Sequence, residues 1–97
     1  MKIALFLKNE KLKVLHADAF SVLVIQMSNQ SIESVENHSL FSKDPDYISL
    51  WLIRRQIDTI YIQNAEQDIK NYFRRIDVEV KSYRDLKDNP VLNLFLL

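Results

Sequence analysis

Phe20-Ser21-Val22-Leu23-Val24-Ile25-Gln26-Met27, Ser28-Asn29-Gln30 and Ser31-Ile32-Glu33-Ser34-Val35-Glu36 form the continuous stretch on which the fold turns. The first run is β-branched and mostly apolar, as in a well-covered strand. The last run mixes polar and apolar residues, as in a half-exposed strand. Between them, Ser28-Asn29-Gln30 reads as a short turn, with Asn29 the best substitute for a turn glycine. The stretch therefore predicts a hairpin, and pairing across its turn sets His38 opposite Phe20.

Toward the amino end, Ile3-Ala4-Leu5-Phe6-Leu7 is apolar at every position, which predicts a strand covered on both faces. Lys8-Asn9-Glu10-Lys11 follows as a polar turn. Toward the carboxyl end, the period changes after residue 40. Asp44-Pro45 supplies an N-cap and a first-turn proline. Ile48, Trp51 and Leu52, with Tyr47, make an apolar stripe at helical spacing, and Arg54-Arg55 suits the helix end.

Asp58-Thr59-Ile60-Tyr61-Ile62 reads as the next strand, with Tyr61 as packing. Asn64 and Gln67 look like a capping pair. Ile69, Tyr72, Phe73 and Ile76 mark a second helix that again ends in an arginine pair, Arg74-Arg75. Asp77-Val78-Glu79-Val80-Lys81 alternates like an edge strand. Asn89-Pro90 opens a last helix through Val91, Leu92, Leu94 and Phe95, with 83–88 as its turn or lead-in.

The order is β-β-β-α-β-α-β-α, in a single domain over residues 1–97. Three meander strands run antiparallel, and right-handed crossovers make the later strands parallel to the first. Placing the alternating strands 31–36 and 77–81 at the edges leaves a five-stranded mixed sheet of order 3-2-1-4-5, with helices on its faces. That is the ribonuclease-H-like layout in outline.

Composition removes several classes of function. The 97 residues include no cysteine and no glycine. Without cysteine there are no disulfides, thiolate metal sites or thiol nucleophiles. Average usage would supply about seven glycines. Their absence removes the Walker loop, the dinucleotide-binding turn and the nucleophile elbow. Thirteen basic residues balance thirteen acidic ones, so nucleic acid is not an expected partner. No apolar run approaches a membrane span, and Met1–Lys8 is too short and too quickly charged for a signal peptide. A cytoplasmic location is the expectation.

In open α/β sheets, ligands bind beyond the carboxyl ends of the parallel strands, at a switch point. That edge would gather Asn9, His16, Asp18, His38, Asp44 and Asn64. Two histidines and a carboxylate can bind a divalent metal or a cluster, so His16 and His38 are the candidate metal ligands, with Asp18 completing a cofactor site. The competing reading of all three is as solvated loop residues at strand ends. A ribonuclease-H-type nuclease needs a carboxylate on the first strand, and residues 3–7 have none.

The whole chain resembles the dinitrogenase iron–molybdenum cofactor biosynthesis family. The resemblance rests on the order of several short features. They are the opening Met1-Lys2-Ile3-Ala4, the loop ending in His16, and the strand–turn–strand of 20–36. Arg54-Arg55-Gln56-Ile57-Asp58 leading into Thr59-Ile60-Tyr61-Ile62 comes next, and then Ile76-Asp77-Val78-Glu79-Val80 after a helix. The family usually has His-Phe-Gly entering its second strand and a glycine-bearing turn after its fourth. Here those places hold His16-Ala17-Asp18 and Gln63-Asn64-Ala65, so only His16 carries over. The resemblance implies a non-enzymatic binding domain whose cargo is an iron–sulfur or iron–molybdenum cluster precursor. A homodimer or a protein partner is the expected association. The alternative is an interaction module without a ligand, using the apolar carboxyl-terminal helix that ends in Leu94-Phe95-Leu96-Leu97.

Overall fold

A computed structural model describes residues 1–8, 11–12, 20–40, 44–63 and 65–96. The strands are β1 (Lys2–Lys8), β2 (Lys11–Leu12), β3 (Phe20–Ser28), β4 (Ser31–Leu40), β5 (Thr59–Tyr61) and β6 (Glu79–Lys81). They form one sheet of order β4-β3-β1-β5-β6, with the short β2 pairing back onto β1. Leaving β2 aside, this is the predicted order 3-2-1-4-5. The meander pairs β1–β3 and β3–β4 are antiparallel, and β1–β5 and β5–β6 are parallel. Leu7 pairs with Leu12 and Lys8 with Lys11, while the central residues of the predicted turn, Asn9 and Glu10, lie outside the described residues.

Side chains alternate across this sheet as a period of two requires. Ala4, Phe6, Val22, Val24, Ile60, Ile62 and Val80 are buried on one face beneath helices α1 (Pro45–Arg54) and α2 (Gln67–Arg74). Ile3, Leu5, Ile25 and Tyr61 are buried on the other. There they meet Leu86 of helix α3 (Tyr83–Asp88) and Leu92 of a 3-10 turn over Leu92–Leu96. The doubly apolar β1 is thus central because both of its faces are covered. The edge strands are β4, exposed along most of its length, and β6, in which only Val80 is buried.

The hairpin register differs from the predicted one by two residues: His38 pairs with Val22, and Leu40 pairs with Phe20. Two local causes add up. The turn is the two-residue Asn29-Gln30, both left-handed with φ of 50° and 65°, so Ser28 already pairs with Ser31. Such mirror-image turns match the twist of the strands. The register then slips between Met27–Ile32 and Gln26–Ser34, leaving Glu33 without an opposite residue. This bulge lets Ile32 and Val35, three residues apart, share one face.

Helix α1 starts as predicted, with the Asp44 carboxylate accepting from the Asp46 N–H at 3.0 Å. Helix α2 starts after Glu66, which makes no side-chain cap bond. The expected cap Asn64 lies outside the described residues, and Gln67 instead donates to Asn71 at 2.9 Å.

Both helices end in the same way. The Gln56 N–H donates to the Ile53 carbonyl (3.1 Å) and the Ile57 N–H to that of Leu52 (3.0 Å). The Asp77 N–H donates to the Arg74 carbonyl (3.0 Å) and the Val78 N–H to that of Phe73 (3.1 Å). These are Schellman closures, with Gln56 (φ 56°) and Asp77 (φ 59°) at the left-handed position that glycine normally takes. The hydrophobic pairs Leu52–Ile57 and Phe73–Val78 lock each closure into the core.

The carboxyl-terminal region differs from its prediction. The α-helix is Tyr83–Asp88, while Leu92–Leu96 forms a 3-10 turn. Asp85 accepts from the Ser82 backbone N–H at 2.9 Å and from its hydroxyl at 3.2 Å, which starts α3. The Asn89 side chain accepts from the Val91 and Leu92 N–H groups, both at 2.9 Å, and so bends the chain after α3.

The Ser82 N–H is the main reason that the Asp85 carboxyl is held below its usual 3.8. A lowered carboxyl contributes fully above that value and loses its contribution as pH falls through the folded-state value. Asp85→Ala is expected to cost about 1 kcal/mol at pH 7. Urea denaturation should show that difference shrinking toward zero well below pH 3.8.

Candidate functional site

The carboxyl ends of β1, β5 and β6 lie along one edge of the sheet, together with the start of β3 and the end of β4. The strand order reverses between β1 and β5, which is where an open α/β sheet offers a crevice. His16, Asp18, Asn9 and Asn64 lie outside the described residues. The described flanks of the His16 segment, Leu12 and Phe20, both pair at this edge. Asp44 is engaged as the cap of α1.

His38 sits further back, two residues from the end of β4, on the face that α1 covers. Its Nε2 lies 3.0 Å from Glu36 Oε2 and 3.4 Å from Arg55 Nη1. A protonated Nε2 donates to Glu36, and a bare Nε2 accepts from Arg55, so one nitrogen serves one neighbour at a time. The bond from His38 is the largest reason that the Glu36 carboxyl is held below its usual range. The His38 ring meets Trp51 edge-on, with centroids 5.9 Å apart, while the Arg55 guanidinium lies 5.1 Å from the Trp51 ring centre. These four side chains fasten β4 to α1.

That arrangement does not fit a metal or cluster ligand at His38. Its Nε2 is turned to a carboxylate, a guanidinium cation stands beside it, and the chain has no thiolate. Among the described residues, no group of three or more His, Asp or Glu side chains could hold a metal ion.

From the sequence, the helix dipole is the preferred role of Arg55 over a phosphate patch, and the core is the preferred place of Trp51 over a stacking platform. Trp51 is half-buried against the core, but its ring also carries Arg55. The four-residue spacing of Trp51 and Arg55 was a legible signal for that stack. The approach of His38 was not, because it depends on the hairpin register. Arg75 likewise lies over Tyr72, 5.6 Å from its ring centre.

A second concavity, of about 320 Å³, lies between α2 and the edge strand β6. Lys70, Arg74, Val78, Glu79 and Val80 line it. Its lining thus combines two cations, one carboxylate and two valines. Tyr61 is buried in the second layer, where desolvation pushes its phenol above the usual value against the opposing effect of Asn89. Leu92 is fully buried and Leu94 exposed, so the carboxyl-terminal segment docks through Leu92.

The fold and this edge define a small α/β domain of meander-plus-crossover type. Four chains among the solved structures match it. One is described as the crystal structure of PH0822, with a TM-score of 0.64 and 9% identity over 84% of this chain and 78% of that one. At that identity the likeness concerns the fold. No protein-family profile and no curated protein matches the chain. Among the described residues, no helix is long and apolar enough to cross a membrane.

Proposed function

We propose that this chain is a non-catalytic binding domain of carrier type, similar to the dinitrogenase iron–molybdenum cofactor biosynthesis family. Its cargo would be an iron–sulfur or iron–molybdenum cluster precursor. The supporting observation is the switch point between β1 and β5, with both described flanks of the His16 segment at the same edge. His16 is the proposed imidazole donor and Asp18 its carboxylate companion. His38 leaves the donor set, because Glu36 and Arg55 hold it on the α1 face. Absence of catalysis is part of the proposal. β1 carries no carboxylate to position a magnesium ion, and the chain has no thiol nucleophile.

Anaerobic titration with ferrous iron tests this reading. Wild type and His38→Ala are expected to bind alike, while His16→Ala weakens binding at least about tenfold, the loss of roughly 1.4 kcal/mol. No binding by wild type, or equal binding by His16→Ala, rejects it.

A further inference from the structure

The outward face of α1 has a composition that the rest of the fold does not require. Ile48 and Leu52 are its fully buried residues. On the opposite side, Tyr47, Leu50 and Ile53 remain 42%, 56% and 51% exposed. The neighbouring helix α2 is ordinary by comparison, since its exposed positions are Gln67, Asp68, Asn71 and Arg74. α1 therefore carries large apolar residues on its outward face as well as its inward one, which a helix at a water surface does not need.

The order of residues on that face selects a partner. At about 100° per residue, Asp46, Tyr47, Ile53 and Arg54 all fall within about 60° of Leu50. They are also symmetric about it. Tyr47 precedes Leu50 by the same interval at which Ile53 follows it, and Asp46 precedes it by the interval at which Arg54 follows. Two such helices laid antiparallel about a two-fold axis through Leu50 set Leu50 on Leu50. Each Tyr47 then meets the other copy's Ile53, and each Asp46 the other copy's Arg54. A parallel arrangement would oppose like charges and align the helix dipoles unfavourably. The self-complementarity holds only under a two-fold, which is the geometry of an isologous dimer.

We infer that a second copy of this chain docks on this face, through antiparallel pairing of α1. Trp51 and Tyr72 border the patch as half-buried aromatics, and Tyr72 orients Asp46 by donating its hydroxyl to that carboxylate. One short helix per copy makes an interface below about 1,200 Å², so the dimer is weak and concentration-dependent.

Sedimentation velocity over a concentration series reads the association. Wild type is expected to show a dimer fraction that rises with concentration. Leu50→Asp weakens association at least about tenfold. Arg54→Glu sets a carboxylate against Asp46 and weakens it too, and adding Asp46→Lys restores it. Circular dichroism shows whether each variant remains folded. Because the chain has no cysteine, Leu50→Cys adds a single thiol per copy, and under a mild two-electron oxidant such as oxidised glutathione two copies should form a disulfide across the axis. Leu94→Cys serves as the control and should cross-link more slowly. A monomer at concentrations up to about 1 mM overturns the inference. So does a dimer indifferent to Leu50→Asp, or faster cross-linking through Leu94→Cys.

Discussion

Phe73→Ala is expected to lose about 3–5 kcal/mol of stability, the usual cost of removing a buried aromatic ring. Domains of this kind have roughly 5–15 kcal/mol in total, so the variant loses a large share of its stability. Two features place Phe73 among the most sensitive positions. Its ring is almost completely buried in the layer between α1, α2 and the sheet. Its carbonyl also accepts the N–H groups of Ile76 and Val78, which close α2 and aim the chain into β6. A cavity there loosens the helix end as well as the core. Chemical denaturation of the variant should show a midpoint lowered in proportion to that loss, with an unchanged slope. A loss below about 1 kcal/mol would mean that the neighbouring side chains collapse to fill the space.

The second large effect runs the other way and concerns the missing glycines. Gln30, Gln56 and Asp77 hold φ values of 65°, 56° and 59°. The left-handed region costs an ordinary residue roughly 1–2 kcal/mol. Glycine removes that cost, although it loses about 0.4–1 kcal/mol more chain entropy on folding. Gln56→Gly and Gln30→Gly should therefore each stabilise by about 0.5–1 kcal/mol. Asp77→Gly should gain less, since aspartate tolerates this region better. The triple variant is expected to melt roughly 5–15 °C higher, using about 4–8 °C per kcal/mol for a domain of this size. Calorimetry checks it. An unchanged or lower melting temperature would show that side-chain contacts at these positions outweigh the backbone cost.

These three positions also show why part of the fold was hidden in the sequence. Without glycine, the turn and both helix ends lack their usual punctuation. The arginine pairs suggested helix ends because cations suit the carboxyl end of a helix dipole. Nothing in Gln56 or Asp77 announces a left-handed backbone. The Glu33 bulge had a trace in the sequence. Ile32 and Val35 are three apart, and a strand that puts both on one face must absorb an extra residue between them. Reading that spacing accounts for one of the two residues by which the predicted pairing of His38 is displaced; the two-residue turn at Asn29-Gln30 accounts for the other.

Tyr47 illustrates a different limit. Its place in the apolar pattern of α1 suggested the core, yet it is exposed beside Leu50 and Ile53. A helix with apolar residues on both its inward and its outward face carries only a weak periodic signal for which side faces inward.

The sequence alone determined the strand order, the central place of the doubly apolar β1 and the edge place of β4 and β6. Those follow from local periodicity and from the handedness of crossovers. Only the tertiary structure decided the hairpin register, the pairing of His38 with Glu36 and Arg55, and the outward face of α1. Each of these depends on which of two chemically similar surfaces meets the rest of the chain. That choice is made by packing between residues far apart in sequence, where a one-residue slip turns a whole strand face over.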